Sequence, residues 1–214
     1  MKLEIPFHSS WATPGHPLGV NCLETSLKML LGYFEPGKEY SIEELEKITT
    51  KQPEKGSWTM SFSIWFANHG YKVKHYSTFN FEKFKTEGIN YIRGAYGDDI
   101  AEWQLANTDL SEAQGKIDDY LKKVELVEKK PTVADVKVEM RTGYIIRAAV
   151  DSGLLNDTPK YEGHSVVVIG YDNDSIWFHD PGLPAQESRK VSNELFQKAM
   201  DAFGGEMDAI KKVH

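Results

Sequence analysis

From Cys22 to Tyr33 the apolar residues Leu23, Leu27, Leu30 and Leu31 recur at helical spacing. Gly32 and the Pro36-Gly37 pair end that helix. Ser41 followed by Glu43 and Glu44 reads as an N-cap with an acidic first turn, opening a second helix that runs to about Thr49. Met60, Ile64 and Ala67 share one side of a third helix over 59–69, with Gly70 as its stop. Tyr71 to Tyr76 (YKVKHY) alternates and predicts a strand. The stretch up to Asn21, rich in Pro, Gly and Ser, predicts loop. Asn80 to Glu87 and Ser111 to Lys123 fit further helices, with mixed loop between them over 88–108. Thr132 to Thr142, after Pro131, predicts a helix closed by Gly143.

The last third changes character. Tyr144 to Val150 (YIIRAAV) is apolar and β-branched. His164 to Tyr171 (HSVVVIGY) is apolar enough for a buried strand. Asp172-Asn173-Asp174 is a turn, Ser175 to His179 (SIWFH) a second strand, and the pair a hairpin that Asp180-Pro181-Gly182 ends. Asn193 to Phe203 is a final helix before Gly204-Gly205. Helices to about residue 142 followed by antiparallel strands over 143–214 predict an α+β fold in one domain spanning 1–214.

The 214 residues are enough to bury a core of ordinary proportions, about 70% of the surface that the unfolded chain exposes. The net charge is −7, and no basic stripe offsets it, so no nucleic-acid partner is expected. No apolar run approaches the roughly 18 residues that span a bilayer, and the start MKLEIP lacks a signal-peptide core. A cytoplasmic protein is expected; a mature form whose leader has been removed is the alternative. The single cysteine, Cys22, excludes an internal disulfide and any multi-cysteine metal site. His8, His16 and His164 lack the spacing of zinc ligands, so neither a metal nor another cofactor is expected.

Taken alone, Cys22 is a small buried apolar residue. Its place at a helix start changes that. The first backbone N–H groups of a helix have no intrahelical partner and the dipole favours an anion there, so a thiol can ionise well below its usual range. His164 opens the apolar strand roughly 140 residues downstream, one known spacing of Cys–His hydrolases. A histidine entering a buried strand is costly to desolvate unless it has partners. The hairpin brings its start beside its end, so His164 and Asp180 are expected to be cross-strand neighbours. The carboxylate can then hold one ring nitrogen and aim the other at the sulfur. Glu24 reads as an ordinary first-turn acid.

The segments NCLETSLKMLLGYF and GHSVVVIGYDNDSIWFHDPG resemble the papain-like cysteine peptidases of the bacteriocin-processing, double-glycine leader type. The first matches a Cys-x-x-x-Ser-Leu-x-Met-x-Leu pattern at Cys22, Ser26, Leu27, Met29 and Leu31. The second matches at Gly163, His164, Val166, Val167, Val168, Gly170, Tyr171 and Asp172, and then at Asp180, Pro181 and Gly182. The resemblance covers 3–87 and 131–200 in outline and leaves 88–130 unmatched. It implies a papain-like fold, a peptide or amide substrate, and Cys22 as nucleophile, His164 as acid/base and Asp180 as orienting carboxylate. Such proteins carry a Gln upstream of the Cys that helps to hold the oxyanion. This chain has no Gln before Gln52. Ser10 best matches that position, and Ser10, His16 and Asn21 are the candidate oxyanion donors. Trp11 and Trp58, both in loops, are candidates for lining the substrate cleft. Three readings follow: a cysteine hydrolase (or an acyltransferase with the same triad), a catalytically idle peptide- or partner-binding domain, and a redox-sensing thiol.

Overall fold

The computed structural model describes residues 1–10, 21–53, 55–182 and 184–213. The chain runs α1 (Cys22–Phe34), α2 (Ile42–Thr49), α3 (Thr59–Asn68), β1 (Tyr71–Tyr76), α4 (Phe81–Glu87), α5 (Ile89–Tyr96), α6 (Asp98–Asn107), α7 (Leu110–Lys123), β2 (Glu125–Val127) and α8 (Val133–Arg141). It continues with β3 (Ile145–Asp151), α9 (Ser152–Leu155), β4 (Gly163–Tyr171), β5 (Ser175–Asp180), β6 (Gln186–Ser192), α10 (Asn193–Phe203) and β7 (Met207–Lys212). The strands form one seven-stranded sheet in the order β2-β1-β7-β3-β4-β5-β6. Every pairing is antiparallel except β1 with β2.

Local chemistry accounts for most of these boundaries. Ser41 and Glu44 form a reciprocal capping box at α2, and Thr132 and Asp135 do the same at α8. The side chains of Asn80, Asp109 and Ser192 cap α4, α7 and α10. Gly204 ends α10 at φ 119°, a conformation that costs a side-chain-bearing residue dearly.

The expected α+β architecture is present, with two additions. Strands β1 and β2, from the helical part of the chain, join the sheet at its far end, β1 through β7. The sheet is also covered on both faces. Period-2 alternation sends Val167 and Ile169 of β4 to a core with Leu23, Leu27 and Leu30 of α1, and Val166 and Val168 to a core with Met140 of α8 and Phe196 of α10. Burial on both faces is why β4 reads as a continuous apolar run.

One expectation needs correction, and two strands were not read from the sequence. Residues 88–108 hold two helices, α5 and α6, not mixed loop. They bury only Ile92 and Ala101, so the apolar stripe that would have announced them is nearly absent. β6 (QESRKVS) is an edge strand with charged residues along it, a pattern that protects an edge but hides the strand from a hydrophobicity reading. β7 (MDAIKK) is legible only through its pairings with β1 and β3, where Ala209 and Ile210 are buried.

One row of the sheet is charged rather than apolar. His75, Asp208 and Arg147 are direct cross-strand neighbours on β1, β7 and β3. Asp208 accepts from His75 Nδ1 at 2.7 Å and from Arg147 Nε at 2.8 Å, while Ser63 of α3 donates to it at 3.4 Å. All three members of the row are almost wholly buried. Burial alone would push the Asp208 carboxyl up, but the Arg147 charge and His75 outweigh it and hold the group at about 2. Removing one partner from such a row strands a charge away from water.

Arg147→Met should therefore destabilise the protein by about 3–5 kcal/mol, read as a lower urea midpoint. A loss below about 1 kcal/mol would mean that water reaches the carboxylate. Because the folded carboxyl sits below its unfolded value of about 3.9, its contribution is complete above that pH and is lost as pH falls through about 2.

Candidate active site

Cys22 is the first residue of α1, and Asn21 is its N-cap. The Asn21 side chain makes no capping bond; its backbone carbonyl accepts from Thr25 N at 2.9 Å and Thr25 Oγ1 at 2.8 Å. The helix is placed by its apolar stripe against β4. One polar contact sets its position along the strand: Ser165 Oγ donates to Ser26 Oγ at 3.0 Å, both side chains buried. Ser26 lies one turn after Cys22, and Ser165 follows His164. The same docking that buries Leu27 therefore brings the sulfur to the histidine.

His164 is the second residue of β4 and Asp180 the last of β5. The two are not paired directly across the hairpin, as their spacing led us to expect. The β4–β5 ladder runs only as far as Val167 with His179, and His164 and Asp180 lie beyond it. Their side chains still meet, with His164 Nε2 and Asp180 Oδ1 2.8 Å apart and both residues buried. Asp180 Oδ1 also accepts from Gly182 N at 2.9 Å. This leaves Nδ1 as the nitrogen available to the sulfur.

The electrostatics run in one direction. Burial pushes the Cys22 thiol up, but hydrogen bonding and charge from His164, with the Ser165 backbone N–H, outweigh it and lower its pKa; Glu24 opposes them. Burial pulls His164 down, yet its bonds to Asp180 and Cys22 push it up to about 10. Asp180 is lowered, the bond from His164 and those from Gly182 and Arg189 overcoming burial. The combination favours a thiolate beside an imidazolium.

The other sequence candidates are placed as follows. Ser10 N donates to Pro181 O at 2.8 Å, which sets Ser10 between the Asp-Pro-Gly bend and the start of α1. Its Oγ lies 3.1 Å from Thr25 Oγ1. Thr25 already donates its hydroxyl proton to Asn21 O, so the proton of the Ser10–Thr25 bond comes from Ser10. Asn21 is buried, and its Oδ1 has no partner among the described residues. Trp58 is the N-cap residue of α3 and stacks on Phe84 at 5.1 Å between ring centroids, within the helical core. Trp11 and His16 lie outside the described residues. Glu24 sits in the first turn of α1, as read, but is buried: Oε1 accepts from Thr49 Oγ1 and Ser57 Oγ, each at 2.7 Å, and Lys51 Nζ lies 3.6 Å from Oε2. Among the described residues no group of three or more His, Cys, Asp and Glu could hold a metal ion, and no helix is long and apolar enough to cross a membrane.

Two contributors were not read from the sequence. Arg189 of β6 donates to Asp180 Oδ2 at 2.9 Å. Gly182 packs so closely that a Cβ there would lie 2.8 Å from His164 Nε2 and 3.0 Å from Asp180 Oδ1. The Asp-Pro-Gly motif signalled the glycine as a bend; its closeness to the imidazole depends on the fold.

The profile of the Peptidase_C39 like family matches residues 2–207. The chain belongs to this family. Two solved structures share the fold of this Peptidase C39-like chain at low sequence identity. One is the peptidase domain of Streptococcus ComA, a bifunctional ABC transporter involved in a quorum sensing pathway, at 14% identity and a TM-score of 0.50, covering 97% of this chain and 98% of that one. The other is a double glycine motif protease from an AMS/PCAT transporter, solved in complex with the leader peptide, at 14% identity and a TM-score of 0.51, covering 99% of this chain and 94% of that one. Among curated proteins none matches the chain.

Gly182→Ala should lower the rate of Cys22 alkylation at pH 6 by about tenfold or more, because the added methyl displaces the imidazole from the sulfur. The thermal midpoint should move little. Wild-type reactivity in this variant would mean that the ring does not depend on that contact.

Proposed function

We propose that this Peptidase C39-like protein is a cysteine hydrolase that cleaves a peptide or amide bond through Cys22, His164 and Asp180, acting as a single domain over residues 1–214. The observation that carries this reading is the meeting of three side chains from distant parts of the chain: a thiol at a helix N-terminus, a buried imidazole against it, and a carboxylate 2.8 Å from the far ring nitrogen. Family membership supports the reaction class. The leader peptide bound to the AMS/PCAT protease supports a peptide as substrate.

The chemistry follows from the charge state. The Cys22 thiolate attacks the carbonyl carbon, a C–S bond forms, and the carbonyl electron pair moves onto oxygen. The Cys22 backbone N–H, free of an intrahelical partner, is one donor for that oxyanion. His164 gives its Nδ1 proton to the departing amine nitrogen as the C–N bond breaks, leaving a thioester. Water then attacks the thioester and gives a proton to His164; the acid leaves and the thiolate–imidazolium pair is restored. An amine entering in place of water makes the same steps an acyl transfer. Asp180 keeps its negative charge and fixes the ring. Of the three candidates for a second oxyanion donor, Asn21 is favoured over Ser10. The single hydroxyl proton of Ser10 is engaged by Thr25, whereas the Asn21 side chain, buried at the N-cap next to Cys22 and making no capping bond, carries two N–H donors on its amide nitrogen.

That commitment of Ser10 is also what favours the second reading, an idle domain that binds peptides in the same cleft. Losing one oxyanion donor typically costs about 10²–10³ in rate.

Turnover on a peptide and amide library, with the pH profile of Cys22 alkylation, separates the two. The hydrolase reading expects turnover that falls at least about 10³-fold in Cys22→Ala. It also expects alkylation that rises as pH passes the lowered Cys22 pKa, and turnover that declines on the alkaline side as His164 loses near 10 the proton it gives to the leaving amine. His164→Ala should move the thiol's titration up to or above that of a free thiol, because burial and Glu24 then act with little opposition. A wild-type Cys22 that reacts no faster than a free thiol at neutral pH would sink the hydrolase; peptide binding that survives Cys22→Ser without turnover would establish the binding domain.

A further inference from the structure

Asp180 has two oxygens, and the proposed triad uses only one. The other is also engaged. Asp180 Oδ2 accepts from Arg189 Nη1 at 2.9 Å, and the same nitrogen donates to Asn156 Oδ1 at 2.8 Å. Arg189 Nη2 donates to the backbone carbonyl of Leu155. Leu155 ends α9, and Asn156 follows it, in the segment that links β3 to β4 and leads into His164. The guanidinium is thus held at two points on that segment while it grips the carboxylate. Its side chain is nearly buried, and its far face lies over the Phe178 ring at 5.9 Å.

Strand register alone does not aim Arg189 at Asp180. In the β5–β6 ladder Arg189 is opposite Phe178, and Asp180 is opposite Gln186, because the register shifts between them. The shift is a bulge with Ser188 at φ 54°, a left-handed conformation that a residue with a Cβ adopts at a cost. His179 holds it: Ser188 N donates to His179 Nδ1 at 3.1 Å, while His179 Nε2 bonds the Ile5 carbonyl at 2.9 Å. A bulge of this kind beside a functional site re-aims the neighbouring side chain.

We infer that Arg189 is a positioning residue for the triad: its fork, tied to Leu155 and Asn156, anchors Asp180 Oδ2 through Nη1, so that Oδ1 stays directed at His164 Nε2 and Nδ1 stays directed at Cys22. The inference rests on the hydrolase reading of the site. The guanidinium acts by geometry against its own charge. A cation near Asp180 disfavours a protonated His164, whereas a carboxylate anchored at its far oxygen favours it. Contact geometry outweighs the charge because Arg189 touches the oxygen remote from the ring. Lysine keeps the charge and cannot reproduce the fork.

The test is the pH dependence of Cys22 alkylation by iodoacetamide in wild type, Arg189→Met and Arg189→Lys, with turnover on whichever peptide the wild type cleaves. The acid limb of alkylation should move up by about one pH unit in Arg189→Met and in the same direction in Arg189→Lys. Turnover should fall about tenfold in kcat, with KM little changed. An acid limb that stays in place in folded Arg189→Met, with only the thermal midpoint lowered, would reduce Arg189 to a structural tie. Movement to lower pH would mean that its charge outweighs its geometry; either result overturns the inference while leaving the hydrolase reading intact. Should Arg189→Met fail to fold, Arg189→Lys carries the test, and an unshifted limb there overturns it equally. A wild type without an activated thiol overturns both.

Discussion

The docking of α1 on β4 is the constraint from which the site follows. Leu23, Leu27, Leu30 and Leu31 bury one side of the helix, and each fully buried leucine is worth roughly 1.5–3 kcal/mol. Apolar packing alone tolerates some sliding along the helix axis. The Ser165–Ser26 hydrogen bond between two buried hydroxyls does not, since slippage would leave both without a partner away from water. Burial holds the helix to the sheet and this bond sets its position, so the first residue of α1 meets the second residue of β4.

Charge is distributed by the same logic on both sides of that contact. In the Cys22–His164–Asp180 group each member has its charged form favoured by the next, and Asp180 engages Gly182 N and Arg189 besides. In the His75–Asp208–Arg147 row the central carboxylate is flanked on both sides. Glu24, two residues after the thiol, is held by Thr49, Ser57 and Lys51. Buried ionised groups survive only where hydrogen bonds replace water. The sheet thus carries one charged row inside its core and one charged group at a strand end. Only the second includes a thiol at a helix N-terminus.

Much of this was legible along the chain because its physical causes are local. The leucine spacing of α1, the capping residues of α2 and α8 and the apolar run of β4 each act within a few residues. The same holds for Cys22 at a helix start and for Asp180 closing a strand. What escaped depended on partners far away. α5 and α6 bury a single residue each, so no stripe marks them. β6 carries Glu187 and Lys190 outward as the last strand of the sheet. His164 and Asp180 were read as paired and instead meet past the end of their ladder.

By itself, then, the sequence determined most of the elements, the α+β character and the three candidate residues, since periodicity, caps and a lone helix-start cysteine are written in short windows. The tertiary structure alone decided which oxygen of Asp180 faces the imidazole and that a bulge at Ser188 turns Arg189 toward the other. It also decided that Ser10 gives its proton to Thr25 and that Gly182 leaves the imidazole its room. Each of these depends on distances between segments 9 to 16 residues apart or, for Gly182 and His164, between two different strand ends, and those distances are set by packing and strand register.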